Sequence, residues 1–223
     1  MLVVRVDMSD DDSFKSVIGK GLEHVPKKNE RHNVGGHKTW REELAIDQPG
    51  PDFQVDYVVQ VGDSKDEVTI EYDGLRHSGS NDRTGDKIRY PIGNGDITFT
   101  KQIDTDYKNT YTPGQKEGVE RGKDKYEPLQ KGKMYGLRVV KRNDGQNTVH
   151  VAYMQDLTED GSSSGPLKEL MHVTDHGQFK DKDGNSSKPR TDYKPDWRVG
   201  PRIDGKNSEH EPPYTKGVLV KKL

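Results

Sequence analysis

The sequence predicts an all-β protein, an antiparallel sandwich with long polar loops and little helix, on three observations. Alanine, the strongest helix former, occurs only at Ala45 and Ala152, against 20 valines and 10 tyrosines in 223 residues; valine and tyrosine favour pleated strands. The 24 glycines and 12 prolines suit frequent turns between short strands. From residue 53 onward, apolar and polar residues alternate with period two in several stretches, the pattern of strands with one buried face. A helical bundle and a large α/β enzyme are disfavoured.

The core must be thin. Leu, Ile, Val and Phe together number 43 of 223 residues, and 33% of the chain is charged. Disorder on compositional grounds also requires a large net charge, and here 36 basic residues face 38 acidic ones for a net charge of -2. Basic and acidic residues are interleaved throughout, so no nucleic-acid footprint is expected. The absence of cysteine excludes disulfides, thiolate nucleophiles and cysteine metal sites. No apolar run approaches the roughly 20 residues of a membrane-spanning helix. The start, Met1-Leu2-Val3-Val4-Arg5-Val6-Asp7, is too short and too charged for a signal peptide; the leader of a secreted form would have been removed or lie outside this sequence.

Residues 1–6 read as a Val-rich edge strand and residues 7–52 as a polar, irregular elaboration, with short strands around 14–18 and 40–46. Residues 53–61 and 67–72 alternate on either side of a Gly62-Asp63 turn and form a hairpin. Strands are expected at 87–90 and 96–103, then a polar excursion over 104–132. Residues 134–142 and 148–156 flank Asn143-Asp144-Gly145, a strong hairpin signal. After a Gly/Ser-rich turn at 157–166, strands follow at 167–174, 197–203 and 217–223, with 178–195 polar. About nine to eleven strands result, at sandwich-like spacing. No internal repeat or linker is visible, so residues 1–223 are taken as one domain with its core in 53–223.

The order of features carries a family resemblance. Tyr72-Asp73-Gly74 is followed by Arg76-His77-Ser78, then Thr98-Phe99-Thr100-Lys101-Gln102 and a loop with Tyr107 and Tyr111. Gly132-Lys133-Met134 introduces a strand, the Asn-Asp-Gly turn follows, and the return strand ends in Met154-Gln155-Asp156. Lys168 to Gly177 and Trp197 to Asp204 complete the series. Over residues 53–223 this resembles the concanavalin A-like lectin/glucanase jelly roll, and more narrowly archaeal and bacterial polysaccharide-lyase-like or carbohydrate-binding sandwiches. Met134 stands where those have an aromatic, and Met154-Gln155-Asp156 matches a Trp-x-Asp pattern in part. The resemblance implies the fold and a glycan-related role. The paired-carboxylate motif of the glucanases, Glu-x-Asp-x-(x)-Glu, is absent: Glu71-Tyr72-Asp73 begins it, but Gly74-Leu75-Arg76 follow. Arg41-Glu42-Glu43-Leu44 only echoes the Arg-x-Glu-Leu-Arg of alginate lyases.

Candidate site residues follow from the chemistry a glycan needs. A polysaccharide lyase requires a cation to neutralise a uronate carboxylate and a His or Tyr to move the α-proton; Arg76, His77, Lys101 and Tyr107 are the candidates. For binding alone, Arg76, His77, Tyr107 and Tyr111 are favoured, tyrosines in a polar loop being suited to stack on sugar C–H faces. The competing reading is of polar strand-end residues paired with nearby acids. Tyr126, Tyr193, Trp197 and Tyr214 are further platform candidates, although Trp40 and Trp197 are expected in a core this short of large apolar groups. His32 and His37 with Asp47 lack the helix that gives metalloprotease His pairs their geometry. On alternation, His172 shares a face with Thr174, and His176 falls in a turn. Asp181-Lys182-Asp183-Gly184-Asn185 fails as an EF-hand, because Phe179 and Arg190 occupy ligand positions. A looser calcium site there or at Asp10-Asp11-Asp12 is the single cofactor left open; no metal or other cofactor is expected.

Taken together, the sequence favours an extracellular or cell-surface jelly roll that binds a polysaccharide. The alternatives are a lyase acting on acidic glycans and a structural surface or fibre subunit. In the last, Leu2 to Val6 or Val218 to Leu223 would add to another copy's sheet edge to give a homo-oligomer or polymer.

Overall fold

The computed structural model describes residues 14–24, 31–34, 37–44, 46–63, 67–74, 84–103, 108–124, 126–205 and 213–223. These form two stacked antiparallel sheets, and their helix is confined to two short 3-10 turns, Lys15–Val17 and Leu22–His24. Sheet I contains β1 (Arg31–Val34), β2 (His37–Glu43), β3 (Ile46–Asp47), β5 (Glu67–Gly74), β6 (Gly85–Pro91), β7 (Thr98–Gln102), β8 (Lys108–Tyr111) and β13 (Arg198–Gly205). Its order is β1-β2-β13-β5-β6-β7-β8, with β3 also pairing β13. Sheet II contains β4 (Phe53–Gln60), β9 (Val119–Arg121), β10 (Met134–Asn143), β11 (Thr148–Leu157), β12 (Lys168–Asp175) and β14 (Tyr214–Lys222), in the order β14-β4-β10-β11-β12-β9.

The expected hairpin of 134–142 with 148–156 is present as β10 and β11, but β4 and β5 lie in opposite sheets and are not paired with each other. That is a correction to the reading of 53–72 as a hairpin. Each of the two strands has a buried face to satisfy, and crossing between layers lets both face the same interior. The described strands number fourteen, more than the pattern suggested. The additional ones are β1 and β3 in the polar elaboration, where β2 overlaps the strand expected around 40–46, and β8 and β9 in the polar excursion. The strand expected at 14–18 is a 3-10 turn instead. The expected strand 1–6 lies outside the described residues. Val218 to Lys222 pair in-fold with β4.

Register fixes the faces. Val139 pairs with Ala152 and Val55, and Leu137 with Met154 and Tyr57, so odd positions of β4 and β10 and even positions of β11 point inward. Sheet I contributes Val68, Ile70, Tyr72, Ile88, Tyr90 and Phe99 to the same buried cluster. Tyrosines 57, 72, 90 and 135 and Phe53, Phe99 and Phe179 are its largest buried side chains. Aromatic volume thus fills the space that scarce aliphatics leave.

The outward face of sheet II carries a second, smaller cluster. Phe14 and Val17 lie on Val58, Met134 and Leu157. A Cβ at Gly136 would sit 2.4 Å from the Phe14 ring, and one at Gly217 would sit 2.0 Å from the Val17 carbonyl oxygen. These two glycines admit the 14–24 segment to the sheet. Gly19 N–H donates to Lys216 O at 2.8 Å and Val218 N–H donates to Lys20 O at 2.9 Å, so the segment also covers part of the β14 edge. Gly136→Ala is expected to displace Phe14 and to cost about 1–3 kcal/mol, measured by urea unfolding.

Candidate functional site

At one rim of the sandwich the inward positions change from apolar to polar. Along β10 the inward series Tyr135, Leu137, Val139 ends in Lys141; along β11 Ala152 gives way to His150 and Thr148; along β12 Met171 and Val173 lead to Asp175. Across the gap, β6 presents Asp86 after Ile88, and β7 presents Lys101 after Phe99. Asp73 is on the outward parity of β5, but it adopts φ 54, a left-handed conformation that aspartate tolerates better than most residues, and its carboxylate turns inward.

These groups pair across the sheets. Lys101 of sheet I donates to Asp175 of sheet II at 2.5 Å, and Lys141 of sheet II reaches back to Asp73 of sheet I. Each lysine also donates to a carbonyl of the 176–197 segment, Lys101 to Lys188 O at 2.8 Å and Lys141 to Arg190 O at 2.9 Å. Arg190 turns inward to Asp86 and to Gln102 O at 2.6 Å. Gln48 holds Asp73 from behind, donating to Oδ1 at 2.7 Å and accepting the Asp73 N–H at 2.9 Å. His150 lies 2.9 Å from the Tyr72 hydroxyl and 3.0 Å from that of Thr148. Burial, then Lys141, Lys101 and Arg190, drive the His150 pKa well below its ordinary value. Burial raises Asp86 to about 6 against the pull of Arg190 and Lys101, and one Asp86 oxygen has no hydrogen-bond partner. The three carboxylates are balanced by three cations around a neutral imidazole. Chemically this chamber is a closed ionic clasp.

The outward face of sheet II carries a second buried polar group. Register sets Asp56, Arg138, Tyr153 and Glu169 in one row across β4, β10, β11 and β12. Asp56 accepts from Arg138 Nε at 2.6 Å and from Gln54 Nε2 at 2.7 Å. The Phe14 ring lies 5.2 Å from the Arg138 guanidinium. Burial and the nearby Glu169, against Arg138, push the Tyr153 hydroxyl up to about 12. Where this face ends, a cleft of about 600 Å3 is lined by Gln60, Lys133, Met134, Leu157, Thr158 and Glu159. Met134 and Leu157 also carry Phe14, so the 14–24 segment supports one side of the cleft.

Of the residues expected at a site, Arg76, His77 and Tyr107 lie outside the described residues. The strands before and after them, β5 with β6 and β7 with β8, all end at the rim of the ionic chamber, since Tyr72 pairs with Asp86 and Gln102 with Gly85 and Lys108. Lys101 is fully buried in its ion pair. Tyr111 pairs in register with Phe99 and is half-buried, its ring 4.8 Å from Phe179. The structure brings Lys101 and Tyr111 against that same phenylalanine. Trp197 and Tyr126 are buried, while Tyr193 and Tyr214 are exposed. The backbones of His32 and His37 belong to β1 and β2, and Asp47 pairs with Arg198 at 3.0 Å. His172 faces outward from β12, and His176 lies 3.8 Å from Glu117. The Asp181 carboxylate accepts the N–H groups of Asp183 and Asn185, which makes it a turn-closing group. Among the described residues no cluster of three or more His, Asp or Glu could hold a metal ion. Asp10 to Asp12 lie outside them.

The cleft was not anticipated as a site, although its residues were in view. Gly132-Lys133-Met134 and Asp156, the two ends of the motif that carried the family resemblance, all line it. Thr158 and Glu159 read only as a turn.

No family model and no curated protein matches the chain. Among solved structures, scytalido-glutamic peptidase with a transition state analog inhibitor is 12% identical over 79% of this chain and 72% of that one, with a TM-score of 0.33. An alginate lyase from Pseudomonas aeruginosa is 14% identical over 86% of this chain and 77% of that one, with a TM-score of 0.32. Likenesses of this size assign neither a site nor an activity.

Breaking one cross-sheet pair leaves a buried charge uncompensated. Asp73→Asn, which suits the left-handed backbone, is expected to lower unfolding free energy by about 3–5 kcal/mol. Adding Lys141→Met should recover part of that loss in the same denaturation assay, because the stranded ammonium is removed with it.

Proposed function

We propose that the chain is an extracellular carbohydrate-binding sandwich that takes a segment of polysaccharide in the cleft at the end of the outward face of sheet II. The observation that supports this reading is the composition of that cleft. Its roughly 600 Å3 falls within the ~300–1,000 Å3 range of small-ligand sites. Gln60, Lys133, Thr158 and Glu159 offer amide, ammonium, hydroxyl and carboxylate groups around an apolar floor of Met134 and Leu157. A sugar ring presents the complementary surface, hydroxyls at its edge and C–H groups on its face. Lys133 and Glu159 are exposed, so they are free to exchange water for ligand hydroxyls, while the Thr158 hydroxyl donates to Asp160 Oδ1 at 2.6 Å and offers a ligand its lone pair. An extracellular or surface location follows from the partner, since polysaccharides of this kind lie outside cells.

Calorimetric titration against neutral and acidic polysaccharides tests the proposal. Lys133→Ala with Glu159→Ala should weaken binding at least about tenfold, equivalent to about 1.4 kcal/mol, while leaving the unfolding midpoint unchanged. Binding unaffected by the pair, or no binding to any neutral or acidic glycan, would overturn it. The alternative of a lyase has less support, because Lys101 commits its ammonium to Asp175 and to Lys188 O. Under the cleft reading, acidic polysaccharides incubated with the protein should yield no unsaturated, ultraviolet-absorbing product.

A further inference from the structure

The floor of the cleft is part of a longer cross-strand row. Leu157 pairs with Met134, Met134 with Gln60, and Gln60 with Tyr214. Residues directly opposite each other in register carry their side chains on the same face of a sheet, and Gln60 has the outward parity of β4. The row therefore runs past the cleft, from β11 across β10 and β4, to Tyr214 at the β14 edge. Three strand spacings of about 4.8 Å make it about 14 Å long.

Two further observations set the Tyr214 ring outward. The next residue, Thr215, is drawn inward, its hydroxyl 2.9 Å from that of the buried Tyr57, and alternation places Tyr214 on the opposite face. The 14–24 segment lies inboard of the row, with Phe14 on Gly136 and the Val17 carbonyl on Gly217. The chain buries tyrosines 57, 72, 90 and 135 almost completely, yet Tyr214 is 43% exposed, the most exposed large apolar side chain among the described residues.

We propose that Tyr214 is a sugar-stacking platform that extends the cleft, and that the ligand is a run of linked pyranose rings lying along the Leu157–Met134–Gln60–Tyr214 row rather than a single sugar. This rests on the cleft reading above and narrows it. At the β11 end, Lys133, Thr158 and Glu159 supply polar groups for ring hydroxyls. In the middle, Gln60 is a fixed polar group, its Nε2 donating to Gly132 O at 3.0 Å. At the β14 end, the tyrosine ring offers a flat face on which sugar C–H groups gain dispersion contact. An axial hydroxyl would hold a sugar ring away from that face. The class that fits is a linear polysaccharide whose sugars carry their hydroxyls equatorially.

Calorimetric titration with cellobiose and cellohexaose, and with the corresponding glucuronate oligomers, tests this, because every ring substituent in both series is equatorial. The hexasaccharide of at least one series should bind at least about tenfold more tightly than its disaccharide. Tyr214→Ala should remove that advantage, weakening the hexasaccharide at least about tenfold with the disaccharide unchanged. Tyr214→Phe, which keeps the ring, should behave as wild type. Equal affinity for both lengths, or a hexasaccharide indifferent to Tyr214→Ala, overturns the platform; if Lys133→Ala with Glu159→Ala still weakens binding, the cleft reading stands without it. A loss in Tyr214→Ala with none in the Lys133, Glu159 pair overturns the cleft reading and keeps the platform. Binding of neither hexasaccharide overturns the proposed ligand class, and the broader polysaccharide titration then decides whether the cleft reading falls with it.

Discussion

The sandwich depends on two lysines that reach across its interior in opposite directions, Lys101 from sheet I to Asp175 and Lys141 from sheet II to Asp73. A chain with 28% hydrophobic residues has too little apolar volume to carry the seam between its layers out to both rims. At one rim it closes the seam with charge. Such pairs are poor sources of net stability, because desolvating the ions offsets most of their attraction. What they supply is specificity. A one-residue slip in β7, β10 or β12 would turn its charged group outward and strand the partner in the interior. The register of both sheets and their stacking are therefore tied to one arrangement. Arg190, Gln48 and the carbonyls of Lys188 and Arg190 satisfy the remaining donors and acceptors, so the chamber is nearly complete as a polar network.

Much of this architecture was legible in the sequence where strands carry an apolar face toward the main core and a more polar one away from it, although that second face is buried too. The alternation in residues 53–60, 134–143 and 148–157 marks β4, β10 and β11 because each has one face on the main core. The strands that went unread, β1, β3, β8 and β9, are short and polar. They join the sheets through backbone hydrogen bonds, which leave no periodic trace in side-chain type. The chamber is written in the same alternation, since Lys141, His150, Asp175, Asp86 and Lys101 occupy the parity of their strands' apolar residues. A charge on the dry parity at a strand end reads as a frayed terminus until the opposite sheet is known to supply a counter-ion. Asp73 was beyond reach, because its left-handed φ of 54 reverses the parity that alternation assigns. The cleft was half visible. The motif residues at 132–134 and 156 marked a hairpin correctly, but their closeness to Gln60 comes from the pairing of β4 with β10, a contact across more than seventy positions of chain.

The outward face of sheet II shows how the chain handles a second layer with few apolar residues. Phe14 lies on a glycine, beside a guanidinium already held by Asp56. One aromatic ring covers the sheet, shields an ion pair and supports one side of the cleft. The row of Asp56, Arg138, Tyr153 and Glu169 fixes the middle of the face, and the cleft occupies its end. The same sheet thus presents a clasp at one rim of its inner face and a polar cleft at the opposite end of its outer face, with the apolar seam between them.

The bonds from Gly19 and Lys20 to Lys216 and Val218 bear on how copies of this chain behave at high concentration. A bare nine-residue boundary strand such as β14 is an invitation to zip up with its own kind. Here its first half is already spoken for by a neighbouring stretch of the same polypeptide, and Lys221 and Lys222 repel an identical strand from the rest. Fibril growth along that border would first have to peel the intramolecular guard away, which makes solubility in this protein partly a property of its glycines.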